Sequence, residues 1–265
     1  MRRDLPEREF PWWLVLTIAL GAWGAWEVVT DEIYLAVLQT LVKGIRITVF
    51  VTLVGFAIAC GMGLLLAVMS LSRWGAFRQI ARFYIEIIRG VPIIVLLLYV
   101  AFVLSPVLVD LWNWLRGQIG LSPIRARDFD LMWRAIIALS LGYSAFIAEV
   151  FRAGLQSIET GQIEAAEALG MNGWLRFRFI VFPQAIRRIL PPLGNDFVAI
   201  VKDSSLVSVL GVSDVTQLGK VTAAGNFRYF ETYNVVALIY LAMTITLSIA
   251  LRRFERYLRS RQHHS

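Results

Sequence analysis

The chain has 265 residues, 58% hydrophobic and 17% charged, with a formal net charge of +7 and a mean hydropathy of +0.65. An ordinary soluble domain is about half apolar, and the excess here is gathered into uncharged blocks that reach the roughly 20 residues needed to cross a hydrocarbon core. Those blocks exclude a soluble globular domain. No ten-residue stretches of alternating polarity occur, so a β-barrel is excluded too, and an all-α integral membrane protein with about six transmembrane helices is expected.

In chain order, Arg2, Arg3 and Arg8 lead into an apolar run from Phe10 to Trp26. Trp12, Trp13, Trp23 and Trp26 stand near its ends, as in an interfacially anchored helix, whereas Ala22-Trp23-Gly24 is a poor cleavage site for a secretory signal. Residues 1–30 are therefore read as a retained N-terminal anchor helix and 31–265 as one integral domain. Asp31 to Gly44 reads as a short amphipathic helix on the outer surface, with Ile33, Leu35, Val37, Leu38 and Leu41 as its apolar face. Ile47 to Ser72 and Gly90 to Val109 are uncharged spans. Asp110 to Asp130, with Pro123 and two glycines, reads as an extended outer loop. Met132 to Ala153 is the next span, with Arg134, Glu149 and Arg152 around an apolar centre. Leu190 to Val215 is the most polar span, interrupted by Asn195, Asp196, Lys202 and Asp203. Asp214 to Glu231 is a second outer loop, Thr232 to Leu251 the last span, and His263 and His264 belong to a solvated tail.

With both termini inside, the inner segments hold 16 basic residues and the outer ones 8. That asymmetry follows the positive-inside rule and sets Trp112, Trp114 and Trp133 at the outer interface and Trp74 at the inner one. The positive charge is thus a topology signal; a nucleic-acid surface would gather it on one face among stacking aromatics. The lone Cys60 excludes an intrachain disulfide and a cysteine metal cluster. No phosphate-binding loop, H-E-x-x-H or G-x-S-x-G occurs, so the chain is expected to be no enzyme, with no metal and no cofactor.

The polar segment 157–183 therefore lies on the cytoplasmic side by this topology. Ser157 or Thr160 is available to cap a helix from Gly161 to Leu169. Ala165, Ala166 and Ala168 keep one face thin enough for a partner to approach closely. Gly170 permits a left-handed exit, and Met171 to Ile180 forms a second short helix ended by Pro183. Leu175, Phe177 and Phe179 add apolar bulk, while Arg176 and Arg178 face water, lipid phosphate or an acidic partner.

Glu164-Ala165-Ala166, Gly170 and Ile180-Val181-Phe182-Pro183 together resemble the EAA loop of ATP-binding-cassette importer permeases, with Phe182 where the family usually has Leu. Arg89-Gly90-Val91-Pro92, Ala148-Glu149 through Gly154, Pro183-Gln184-Ala185 and Lys202-Asp203-Ser204-Ser205-Leu206 resemble the polar amino acid (histidine, glutamate, glutamine) branch. Val91 and Ser204 are substitutions in that branch's R-G-T-P and K-D-T-S-L. The likeness runs from about Lys43 to the C-terminus.

The resemblance implies a type I importer core in a bacterial inner membrane. Its implied partners are a second permease, identical or paralogous, a periplasmic or extracellular substrate-binding protein and an ATPase subunit that binds the ATP. Glu164, Ala165, Ala166, Gly170 and Pro183 are then the ATPase-coupling residues. A zwitterionic amino acid needs an anionic or carbonyl partner for its ammonium and a cation or helix N-terminus for its carboxylate. Asp203 and Arg89 can supply these, with the hydroxyls of Ser204 and Ser205. Gly142-Tyr143-Ser144 lies one helix length before the EAA loop, and Gly142 is expected to widen the path. Against this, Arg89 with Glu86 and Glu149 with Arg152 have the i,i+3 spacing of pairs that neutralise one another. An ATP-independent carrier or channel is the alternative and would show inverted repeats; a membrane anchor would leave the polar residues Asn195 to Ser205 without a purpose.

Overall fold

The computed structural model describes residues 12–260, and no strand occurs among them. Arg2, Arg3, Arg8, Phe10, Arg261, His263 and His264 lie outside the described residues.

Helix α1 (Trp12–Thr30) meets α2 (Glu32–Ser70) at Asp31, whose carboxylate accepts from the backbone N–H of Ile33 at 2.7 Å and caps α2. α2 runs 39 residues without interruption, about 58 Å at 1.5 Å per residue. The stretch from Asp31 to Gly44 is thus no separate surface helix but the opening turns of a long one. Its apolar face is taken by the protein: Tyr34, Val37 and Leu41 pack with Val215, Val235, Val236 and Ile239.

Helix α3 (Gly75–Gly90) was not expected, because the search for uninterrupted apolar runs passes over a helix with segregated faces. Ala81 and Ile85 are buried with Leu66 and Ala148. Phe77, Ile80, Phe83 and Ile87 are exposed on a second side, and Arg82, Glu86 and Arg89 form a third. After Pro92, α4 (Ile93–Tyr99) passes through a π-helical segment, Val100–Leu104, into α5 (Ser105–Gln118). Asp110 to Gln118 is therefore helix, and the expected outer loop shrinks to 119–130 with one 3-10 turn at Ala126–Asp128.

The π segment leaves the Ala101 carbonyl open, and Arg134, only 7% exposed, donates to it at 2.8 Å. Arg134 also donates to Phe129 O at 3.0 Å and to Ala126 O. This buried cation is held by three carbonyls and forms no ion pair among the described residues.

Helix α6 (Leu131–Gln156) starts at Asp130, which accepts from Met132 N at 2.7 Å, and runs along α2 through the core. Ala135, Ile136, Leu139 and Ile147 are fully enclosed. Next come α7 (Thr160–Ala168) and α8 (Gly173–Arg176), then a π segment, Phe177–Val181, that leads directly into α9 (Phe182–Asp203). The expected polar span therefore begins eight residues earlier than Leu190 and ends at Asp203, where a 3-10 turn (Ser204–Leu210) takes over. The expected loop at 214–231 contains α10 (Val215–Asn226), capped by Asp214 accepting from Gln217 N at 2.8 Å. Its glycine and asparagine read as loop residues, yet Gly219 is where α10 touches Val236 of α11 (Tyr229–Ser260), and Asn226 precedes the left-handed Phe227 at φ 58°.

Four helical stretches among the described residues are long and apolar enough to cross a bilayer: Glu32–Ser70, Ile93–Gln118, Leu131–Gln156 and Tyr229–Arg256. α1 and α9 take the places of the other two in the expected set of about six.

Candidate functional site

Two groups of residues singled out from the sequence lie in different parts of the molecule. The first is the segment between α6 and α9. Ser157 does not cap α7; its hydroxyl turns back to Gly154 O at 2.6 Å and finishes α6, and Glu159 stands at the N-cap without a side-chain bond. α7 ends as expected at Gly170, with φ +77°. Gly170 N donates to Glu167 O at 2.9 Å and Met171 N to Ala166 O at 3.1 Å, the paired bonds of a Schellman end. Only glycine takes that φ without strain.

Ala166 is 3% exposed, while Glu164, Ala165 and Ala168 face outward. An ion pair between Arg176 and Glu167 and a 2.6 Å bond from Gln184 Nε2 to Gln162 Oε1 hold α7 against the helices that follow. Pro183 does not end a short helix. It lies just past the π segment Phe177–Val181, where the regular bond ladder is already interrupted, and the chain stays helical on both sides of it, from Gly173 to Asp203. Leu169, Trp174 and Phe179 expose most of their surface, Leu169 81% of it, and with Glu164 they make a mixed apolar and acidic patch.

The second group is the set of path candidates. Tyr143, 4% exposed, donates its hydroxyl to Asp203 Oδ2 at 2.8 Å and ties α6 to the end of α9. Ser144 is fully enclosed, bonded to the Tyr84 hydroxyl at 2.9 Å and to Leu141 O at 2.8 Å, so its polar atoms are used between α3 and α6. Gly142 is also enclosed; a β-carbon there would lie 3.4 Å from Leu96 Cδ2. Gly142 thus seats α4 against α6 and does not open a channel within the chain. Ser204 is buried and donates to Val201 O at 2.7 Å, and Ser205 is half-buried.

Arg89 lies apart from Asp203, its guanidinium 5.6 Å from the centre of the Phe146 ring. Of the two expected neutralising pairs, Glu149–Arg152 forms at 2.5 Å and Glu86–Arg89 does not. One residue was counted only as an interruption of a span. Asp196 has a carboxylate oxygen enclosed without a hydrogen-bond partner. The signal was there: Asp196 and Asp203 are seven positions apart, hence on one face of α9, the face that meets Tyr143.

No group of three or more His, Cys, Asp or Glu residues able to hold a metal occurs among the described residues. The family of binding-protein-dependent transport system inner membrane components matches residues 59–264. A probable amino-acid permease of Bacillus subtilis is 36% identical over 85% of this chain and 94% of its own. A glutamine transport system permease of Escherichia coli is 36% identical over 82% and 91%. A crystal structure of an amino acid ABC transporter with histidines superposes at a TM-score of 0.69 with 35% identity, over 83% of this chain and 94% of that one.

Proposed function

Because this chain belongs to the family of binding-protein-dependent transport system inner membrane components, we propose that it is the membrane-spanning subunit of an ATP-driven importer of polar amino acids. In this reading the chain binds no nucleotide of its own. A separate ATPase docks on the α7 patch, a substrate-binding protein delivers the amino acid to the opposite side, and a second permease, identical or paralogous, completes the path. The chain sits in a bacterial inner membrane with both termini and α7 in the cytoplasm, and 31–265 acts as the permease domain behind the anchor at 1–30. Glu164, Ala165, Ala166, Gly170 and Pro183 couple to the ATPase.

The observation that carries this reading is the continuity of the helix from Gly173 to Asp203. Beside α7 it is exposed to a docking partner; at its far end it holds Asp203 against Tyr143. A displacement of the patch therefore has a helical route to Asp203, one that passes the π segment Phe177–Val181 and Pro191 and Pro192 inside α9. Transport needs two states that ligands stabilise differently, and a continuous helical connection lets ATP on one side act on the polar site in the spans. Asp203 and Asp196 offer carboxylates for the ammonium of an amino acid; Arg89, with Ser204 and Ser205, belongs to the same path in its other states. Gly142, Tyr143 and Ser144 shape the helix that carries it.

The test is co-purification with the candidate ATPase, wild type against the Glu164→Lys, Gly170→Trp double variant. The expected result is a complex in the wild type and none in the variant, with the membrane subunit monodisperse in both. A complex that survives both substitutions would overturn the docking assignment.

A further inference from the structure

Away from Tyr143 and Asp203, the charged third face of α3 meets the last turns of α6. Arg82, Glu86 and Arg89 follow i, i+4, i+7 on α3, and Glu149, Arg152 and Gln156 follow i, i+3, i+7 on α6, so each set lies on one helix face. With Ser70 they line a cavity of about 390 Å³ whose only apolar lining residue is Ile85.

The α6 set is internally satisfied. Arg152 donates to Glu149 Oε2 at 2.5 Å and to Gln156 Oε1 at 2.6 Å. The α3 set is not. Neither Arg82 nor Arg89 forms a hydrogen bond or ion pair within the described residues, and Glu86 pairs with neither of them. Arg89 lies against the Phe146 ring and within electrostatic reach of Glu149. Glu149 is paired with Arg152 and acts on Arg89 at longer range, which leaves the Arg82 and Arg89 guanidinium groups and the Glu86 carboxylate on the cavity wall without a hydrogen-bond partner among the described residues.

We infer that this cavity is a binding site for the α-amino and α-carboxylate groups of a free amino acid on the side of the molecule that carries α7. The two guanidinium groups take the carboxylate, for which their forked N–H groups are shaped, and Glu86 takes the ammonium. A phosphate-type anion would set its second charge beside Glu86, whereas a zwitterion uses both signs. Gln156 is the last residue of α6 and lies four positions before Thr160, the first of α7. An amino acid held between α3 and α6 therefore fastens α3 to the root of the coupling segment. Resting on the proposed function, this makes the cavity a product-side site: amino acid accumulated inside restrains α7 and slows further uptake.

The experiment uses the permease–ATPase complex in nanodiscs and, with the binding protein, in proteoliposomes containing ATP. Labelled L-glutamine, L-glutamate and L-arginine are titrated onto the complex without binding protein, wild type against Arg82→Gln and Glu86→Gln. The expected result is binding of at least one of them, weakened about tenfold or more by either substitution, as loss of a hydrogen bond to a charged group entails. Preloading that amino acid in the lumen slows wild-type uptake and leaves Arg82→Gln uptake unslowed, while the two start at equal rates from empty vesicles. Absence of binding, or equal binding and equal slowing in wild type and variants, overturns the site. Competition by inorganic phosphate as strong as by the amino acid overturns its assignment to a zwitterion. Intact, Arg82-dependent binding without ATP-driven uptake of any of the three sinks the importer reading and leaves the cavity assignment standing.

Discussion

Tyr143 and Asp203 stand 60 positions apart and meet through a 2.8 Å hydrogen bond. Both were legible as polar residues that a membrane interior does not tolerate without a purpose; their partnership was not, because it depends on how α6 and α9 cross. Tyr143→Phe removes the donor and leaves a carboxylate oxygen unpaired, at a cost of about 1.5–3 kcal/mol. The expected outcome is a lower melting temperature in detergent together with a loss of uptake. Asp203→Asn keeps an acceptor for Tyr143, so stability holds while uptake falls, which separates a role in substrate binding from one in packing. Gly154 shows the opposite kind of legibility. It lies in the stretch that resembles the amino acid permeases, yet only the structure explains it: a β-carbon there would sit 2.2 Å from Ile189 Cγ1. Gly154→Ala is expected to destabilise by about 1–3 kcal/mol through overpacking, and to cost less in an Ile189→Ala background, which removes that Cγ1, as a double-mutant cycle on melting temperature will report.

Among the elements, the long apolar helices were readable because lipid imposes a single length and a single secondary structure. α3 and α10 escaped because each intersperses its apolar residues with charges or glycines, so neither forms an unbroken apolar run. The segment around α7 was legible in its sharpest feature, the left-handed Gly170, since no other residue takes that conformation cheaply. Gly170→Ala is expected to cost about 1–2 kcal/mol locally and to raise the rate of proteolysis between Leu169 and Asn172, with little change in global melting, because nothing packs on that position. The π segment Val100–Leu104 was beyond reach of the sequence, as was its link to Arg134. Three carbonyls on two separate stretches of chain accept from one guanidinium, and a lysine ammonium cannot reach them in the same fork. Arg134→Lys is therefore expected to lower stability by about 1.5–3 kcal/mol in thermal unfolding, despite the unchanged charge.

For the molecule as a whole, the charge asymmetry along the chain predicts which side each turn faces, and a labelling experiment reads it directly. In a Cys60→Ser background, Ser122→Cys is expected to react with an impermeant maleimide on intact cells and Glu164→Cys only after permeabilisation; the reverse pattern would invert the topology. The family likeness extends over most of the chain, and the architecture that follows from it was legible at the level of spans. Residues facing one another across helices were not, since hydropathy records the depth of a residue and says little of its bearing. The helical run from Gly173 to Asp203 gives bearing a special weight. One residue inserted or removed between Phe182 and Asp203 turns everything beyond it by about 100°, so Asp203 would swing away from Tyr143 while the docking patch stayed in place. Length variation in this stretch should therefore be almost absent among functional descendants of the chain. The π segment at Phe177–Val181 has the form of one extra residue already absorbed. It lies just ahead of that stretch, where a change in phase can still be taken up before it reaches Asp203.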